Sequence, residues 1–228
     1  MTGFLASIKD VHEAEKISNA KIDIVDLKNV DDGALGFVGL SLINKVRQIL
    51  KHHKMSVTLG NNLNPNNKDT IAILSKIINQ EIEYVKIGLF DINMIGQHKL
   101  LLKNFSFNQT KPICVIFADK TFNLNIMEEI IGIGYKGIMI DTFNKNHKSM
   151  TEILNHSEIR NFVSMVKKNK SICGLSGSLK ICDIDKLKKL NPDFLGFRGQ
   201  LCSNKLDRNE INLDLLERVS NAINSTIA

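Results

Sequence analysis

Short apolar runs alternate with longer amphipathic segments along all 228 residues, which predicts an α/β fold of the (β/α)8 TIM-barrel class. Three observations carry that prediction. Eight strand–helix pairs fit the sequence with no linker, low-complexity tract or repeat between them, so residues 1–228 are expected to form one barrel domain. No G-x-G-x-x-G or Walker A signature follows the first strand, which argues against an open dinucleotide-binding sheet. Ionisable residues also close the even-numbered strands, where alternate strands of a barrel share an interior layer. Such barrels run to about 250 residues and tolerate fewer.

The first strand is expected over residues 4–8, and Asp10-Val11-His12-Glu13 reads as a capping box opening a helix to residue 19. Strand two covers 22–27, and a loop with Gly33 and Gly36 leads to a helix over 40–52. Strand three covers 55–59 and stops at Gly60; the 61–68 loop precedes a helix over 69–79. Strand four covers 84–89, with a helix over 93–103. Strand five, 113–118, is the most apolar and suits burial on both faces; a helix over 125–133 follows. Strand six covers 137–141, with helical residues from 149 to 168. Strand seven covers 171–175 with a helix over 182–190, and strand eight covers 194–197 before a final helix over 213–223.

An apolar content of 43% can fill one sizeable core. The formal charge of +6 is spread over groups such as Lys45, Arg47 and Lys51, or Lys167, Lys168 and Lys170, which reads as solvated helix faces rather than a nucleic-acid surface. The four cysteines make no C-x-x-C pair, and Cys114 and Cys173 fall inside strands as reduced core residues. The six histidines form no metal-ligand cluster, His52 and His53 are expected at an exposed helix end, and no metal is expected. The apolar run at 4–8 is broken by Lys9 and Asp10, too soon for a signal peptide. Nowhere do eighteen apolar residues run together, so a soluble, cytoplasmic protein without a membrane partner is expected.

In strand two, alternation places Asp26 and Lys28 on one face, while Val25 and Leu27 face the helices. Lys86 lies by the same rule opposite Val85 and Ile87, and Asp141 closes strand six. A lysine desolvated beside another cation sheds its proton more readily, and a neutral amine attacks a carbonyl to form a Schiff base. One strand-end lysine alone would more often snorkel to water or pair with an acid. Lys28 and Lys86 together with Asp26 and Asp141 favour an active site. Asp26 and Asp141 can serve as acid or base, or as ion partners of the lysines. Asp119, after strand five, could reach the same pocket or cap a helix.

Ser176-Gly177-Ser178 follows strand seven and Arg198-Gly199 follows strand eight. Loops after these strands are the usual phosphate sites of such barrels, where glycines let backbone N–H groups approach an anion. A phosphorylated substrate is therefore expected.

The segments Ile24-Val25-Asp26-Leu27-Lys28-Asn29, Gly33-Ala34-Leu35-Gly36, Tyr84-Val85-Lys86-Ile87-Gly88-Leu89, Asp141-Thr142, Leu175-Ser176-Gly177-Ser178-Leu179 and Phe197-Arg198-Gly199 occur in this order. Together with Cys202 and Asp207-Arg208 they resemble the (5-formylfuran-3-yl)methyl phosphate synthase family, also called 4-(hydroxymethyl)-2-furancarboxaldehyde-phosphate synthase. The likeness runs from about residue 4 to residue 222. It implies a TIM-barrel carbon–oxygen lyase of methanofuran biosynthesis that condenses two glyceraldehyde 3-phosphate molecules without metal or organic cofactor. It also implies Lys28 as the Schiff-base lysine, and Asp26, Lys86, Asp141 and Lys145 as the groups that move protons and stabilise charge. Lys148 is the alternative to Lys145.

Two other readings keep the barrel. One is a class I aldolase or isomerase acting on another sugar phosphate. The other is a non-catalytic basic barrel that binds nucleic acid or a protein partner, and the inward-pointing charges rank it last. The expected partner is a triose phosphate; nucleic acid is not expected, and a homo-oligomer is compatible with the sequence.

Overall fold

The protein, a computed structural model, is described over residues 2–144, 148–204 and 208–226. Eight parallel strands close into a barrel in chain order, β1 pairing with both β2 and β8. The order is β1 (Gly3–Ile8), α1 (Val11–Ile17), β2 (Ile24–Leu27), α2 (Leu40–Ile49), β3 (Lys54–Thr58), α3 (Lys68–Ile78), β4 (Tyr84–Gly88) and α4 (Ile95–Asn104). Then come β5 (Lys111–Phe117), α5 (Met127–Gly132), β6 (Gly137–Asp141), α6 (Met150–Ile153), α7 (His156–Lys168), β7 (Ile172–Leu175), α8 (Ile184–Lys188), β8 (Phe194–Phe197) and α9 (Leu213–Asn224). The barrel class and all eight strand positions agree with the sequence reading. No helix among the described residues is long and apolar enough to cross a membrane.

Alternation divides the apolar residues between two cores. Outward positions such as Val25, Leu27, Val85, Ile87 and Ile140 join the helices in a larger ring. Leu5, Ile24, Tyr84, Ile113, Met139 and their neighbours fill the barrel itself. In α7, Ile159, Phe162, Val163 and Val166 recur at helical spacing and are buried. Each such side chain contributes about 1.5–3 kcal/mol by leaving water.

The helix over 149–168 is in fact two. Leu154 is extended, and Asn155 starts α7 with a capping box in which it accepts from Glu158 N and Glu158 accepts from Asn155 N. The box expected at Asp10 is half present. Asp10 accepts from Glu13 N at 2.8 Å, but the Glu13 carboxylate accepts from Lys9 N, at 2.9 Å, and turns inward. Cys114 and Cys173 are buried free thiols, as expected. His52 is exposed and His53 half-buried.

Candidate active site

Register places the site at the C-terminal mouth. Ser7, Asp26 and Ser56 are level across β1, β2 and β3, and Thr58 is level with Lys86 in β4. Asp26 is fully buried; its Oδ2 accepts from Ser7 Oγ at 2.9 Å and lies 2.6 Å from Lys86 Nζ. Asp26 Oδ1 and Ser56 Oγ have no hydrogen-bond partner among the described residues, so this floor keeps unused polar capacity.

Lys28 stands one residue beyond β2 and is 4% exposed. Its Nζ donates to Ala34 O at 3.2 Å and lies 3.7 Å from Asp141 Oδ2. The loop that supplies Ala34 is braced from the end of β3. Thr58 Oγ1 donates to Gly36 O at 2.7 Å, and Gly60 N to Leu35 O at 2.9 Å. The Asn61 amide does two jobs: Nδ2 donates to Asp32 O at 2.7 Å, and Oδ1 accepts from Leu35 N at 3.0 Å. Asp141 Oδ1 accepts from Thr142 N at 2.7 Å, which fixes that carboxylate.

A cavity of about 220 Å³ opens above these groups, lined by Lys28, Lys86, Asp141 and the Ser176-Gly177-Ser178 turn. Arg198, Gly199 and Gln200 after β8 and Arg208 also line it. Ser176 Oγ donates to Ile140 O at 2.8 Å, which ties the turn to β6. Gly177 has φ +99°, and a Cβ there would come within 2.9 Å of Thr142 Cγ2 and 3.0 Å of Thr142 N. Only glycine lets the turn lie this close to the Asp141–Thr142 backbone. Neither Gly177 N nor Ser178 N donates to an acceptor among the described residues, so both remain open to an anion.

The structure corrects the expectation for the Arg198 side chain. Its Nη1 and Nη2 fork onto Glu13 at 2.6 and 2.9 Å, and Nη1 also donates to Ser7 O at 3.1 Å. Nε donates to Arg208 O at 3.0 Å, and Nη2 donates to the same carbonyl. Every guanidinium donor is thereby taken up within the protein, so Arg198 offers none to a phosphate. Glu13, 1% exposed, is its buried counter-ion.

Asp119 also differs from its expected place. It accepts from Phe143 N at 2.6 Å and Asn144 N at 2.9 Å, which anchors the loop after β6, and it does not line the cavity. Lys145 lies outside the described residues. Lys148 is exposed and borders an outer groove with Glu152 and Lys180. Sequence reasoning missed Ser7, Glu13 and Asn61. Ser7 had a signal, since the period of two puts it on the inward face beside Asp26. A second opening, about 800 Å³ between α7 and α8, carries Arg160, Lys186 and Lys189 as solvated surface charges.

Comparison with known proteins agrees with this geometry. A family profile described as 4-HFC-P synthase matches residues 4–220. A (5-formylfuran-3-yl)methyl phosphate synthase of Methanosarcina acetivorans is 26% identical over 210 residues, covering 86% of this chain and 88% of that protein. One from Methanococcus maripaludis is 28% identical over 229 residues, covering 94% and 96%. Among solved structures, a 3-hexulose-6-phosphate synthase superposes with a TM-score of 0.65 at 12% identity, covering 97% of this chain and all of that one. That likeness concerns the fold. With closed barrel, paired lysines and carboxylates, and a match over nearly its whole length, the chain belongs to the 4-HFC-P synthase family of enzymes.

Proposed function

We propose that the chain joins two glyceraldehyde 3-phosphate molecules through an imine on Lys28, releasing (5-formylfuran-3-yl)methyl phosphate, phosphate and water for a methanofuran-type cofactor. The observation that carries this reading is the pair of buried lysines, each facing a carboxylate in one cavity. Family membership supports the product.

The two lysines divide the work. Lys86 is held at 2.6 Å by Asp26 and acts as a fixed positive charge over the floor. Lys28 is 3.7 Å from Asp141 and is set by a carbonyl, which points its nitrogen into the cavity as the nucleophile. Attack on the aldehyde carbon expels water and makes the neighbouring C–H acidic. Asp141 is the carboxylate nearest that imine and takes the proton. The electron pair expels phosphate from the next carbon, leaving the imine conjugated to an enol. The terminal enol carbon attacks the carbonyl of the second triose, isomerised to the ketone, as the enol hydroxyl carbon becomes a ketone. The free hydroxyl of that second triose adds to the new ketone of the first and closes the ring, loss of two waters makes it aromatic, and hydrolysis of the imine returns the lysine. The open N–H groups after β7 hold phosphate oxygens.

Borohydride added to the protein with glyceraldehyde 3-phosphate should give a stable adduct on Lys28, absent from Lys28→Ala. Mass spectrometry reads the adduct, and NMR of the untrapped reaction reads the furan. An adduct on another residue, or none on a folded protein, rules out the imine on Lys28.

A further inference from the structure

With Arg198 committed to Glu13, the cavity still holds another arginine. Arg208 lines the same space as Lys28, Asp141 and the Ser176–Ser178 turn, and is only 9% exposed. Its guanidinium has no hydrogen-bond acceptor among the described residues. Burial lowers its pKa from the usual value, while the charges of Asp141 and Asp31 act in the opposite sense. A buried cation without a direct partner is costly unless something else supplies the anion.

The surrounding chain goes to some length to keep Arg208 there. Its backbone sits at φ +54°, in the left-handed region that a residue with a long side chain seldom adopts. Its N–H donates to Asn204 O at 3.0 Å, and its carbonyl accepts from Arg198 Nε at 3.0 Å. Three residues on, Ile211 N donates to Glu13 Oε1 at 3.2 Å. One buried ion pair, Arg198–Glu13, thus grips the segment at both ends.

We infer that Arg208 is the side chain that anchors a phosphate monoester in this cavity, aimed by the Arg198–Glu13 brace and completed by the open N–H groups of Gly177 and Ser178. Its planar fork suits two oxygens of one phosphate, which a lysine head would meet only as a point charge. The assignment rests on the triose-phosphate reading above. It moves the anion-binding role from Arg198 to the residue that Arg198 positions.

Calorimetric titration of the full chain with inorganic phosphate tests the anchor without the reaction. Arg208→Gln should weaken phosphate binding by about tenfold or more, equivalent to the loss of one charge-assisted contact. Arg208→Lys should recover part of that loss, and covers the case in which the glutamine variant does not fold. With glyceraldehyde 3-phosphate, Arg208→Gln should raise KM more than it lowers kcat. Unchanged phosphate affinity in Arg208→Gln, or no phosphate binding by the unaltered chain, overturns the inference. Arg208-dependent phosphate binding by a chain that makes no furan supports the anchor and sinks only the condensation.

Discussion

Lys86 Nζ and Asp26 Oδ2 are 2.6 Å apart at the floor of the cavity, and both side chains are buried. Removing one partner leaves the other charge buried alone. Lys86→Met should lower stability by about 3–5 kcal/mol and abolish furan formation. Adding Asp26→Asn should restore most of the stability and none of the activity. Urea denaturation of the single and double variants checks this; additive losses would mean that the two residues are not coupled.

Asn61 holds the loop whose Ala34 carbonyl orients Lys28. Asn61→Asp keeps the acceptor for Leu35 N, but removes the donor to Asp32 O and sets a carboxylate against that carbonyl. The rate of adduct formation on Lys28 should fall about tenfold, a barrier increase near 1.4 kcal/mol. A rate equal to that of the unaltered chain would show that the loop needs no such brace.

Glu13→Gln preserves the shape of the Arg198 clamp and removes its charge. The amide of Ile211, bonded to Glu13 Oε1, should then exchange its hydrogen faster, and KM for the triose phosphate should rise. Unaltered exchange at Ile211 would show that the brace does not depend on the ion pair.

His98 offers a pH signature away from the cavity. It is buried beside the Tyr135 hydroxyl, and desolvation lowers its pKa to about 4 from 6.5. The unfolded chain therefore takes up a proton between those values that the folded chain refuses, so stability falls as pH drops from 6.5 toward 4. The loss attributable to this group approaches about 3 kcal/mol at the acid end. His98→Gln should flatten that part of the profile, read from melts at pH 7 and pH 5. An equal slope in the variant would assign the acid sensitivity elsewhere.

The period of two was enough to bring Asp26, Lys28, Lys86 and Asp141 to one mouth, because strand alternation and strand order together fix which way each points. Arg198 was misread for a reason that no local pattern removes. Its counter-ion Glu13 stands 185 residues away in sequence, across the β8–β1 seam that closes the barrel. Glu13 also had a plausible local role as the third residue of a cap, and tertiary pairing overrode it. Asp119 failed similarly, drawn to the backbone of a neighbouring loop. The break in the 149–168 helix was visible in Asn155 and Glu158, whose spacing is that of a cap.

Lys86 borders both the cavity above and a small pocket of about 20 Å³ below, where Leu5, Ile24, Ile113 and Phe194 pack inside the barrel. The apolar packing inside the barrel leaves the C-terminal mouth as the face on which the charged groups meet. On the condensation proposed above, both trioses enter by the same doorway through which the furan, the phosphate and the water depart. Turnover on that reading is a matter of traffic, and departure of the ring is a step that faster chemistry does not speed up.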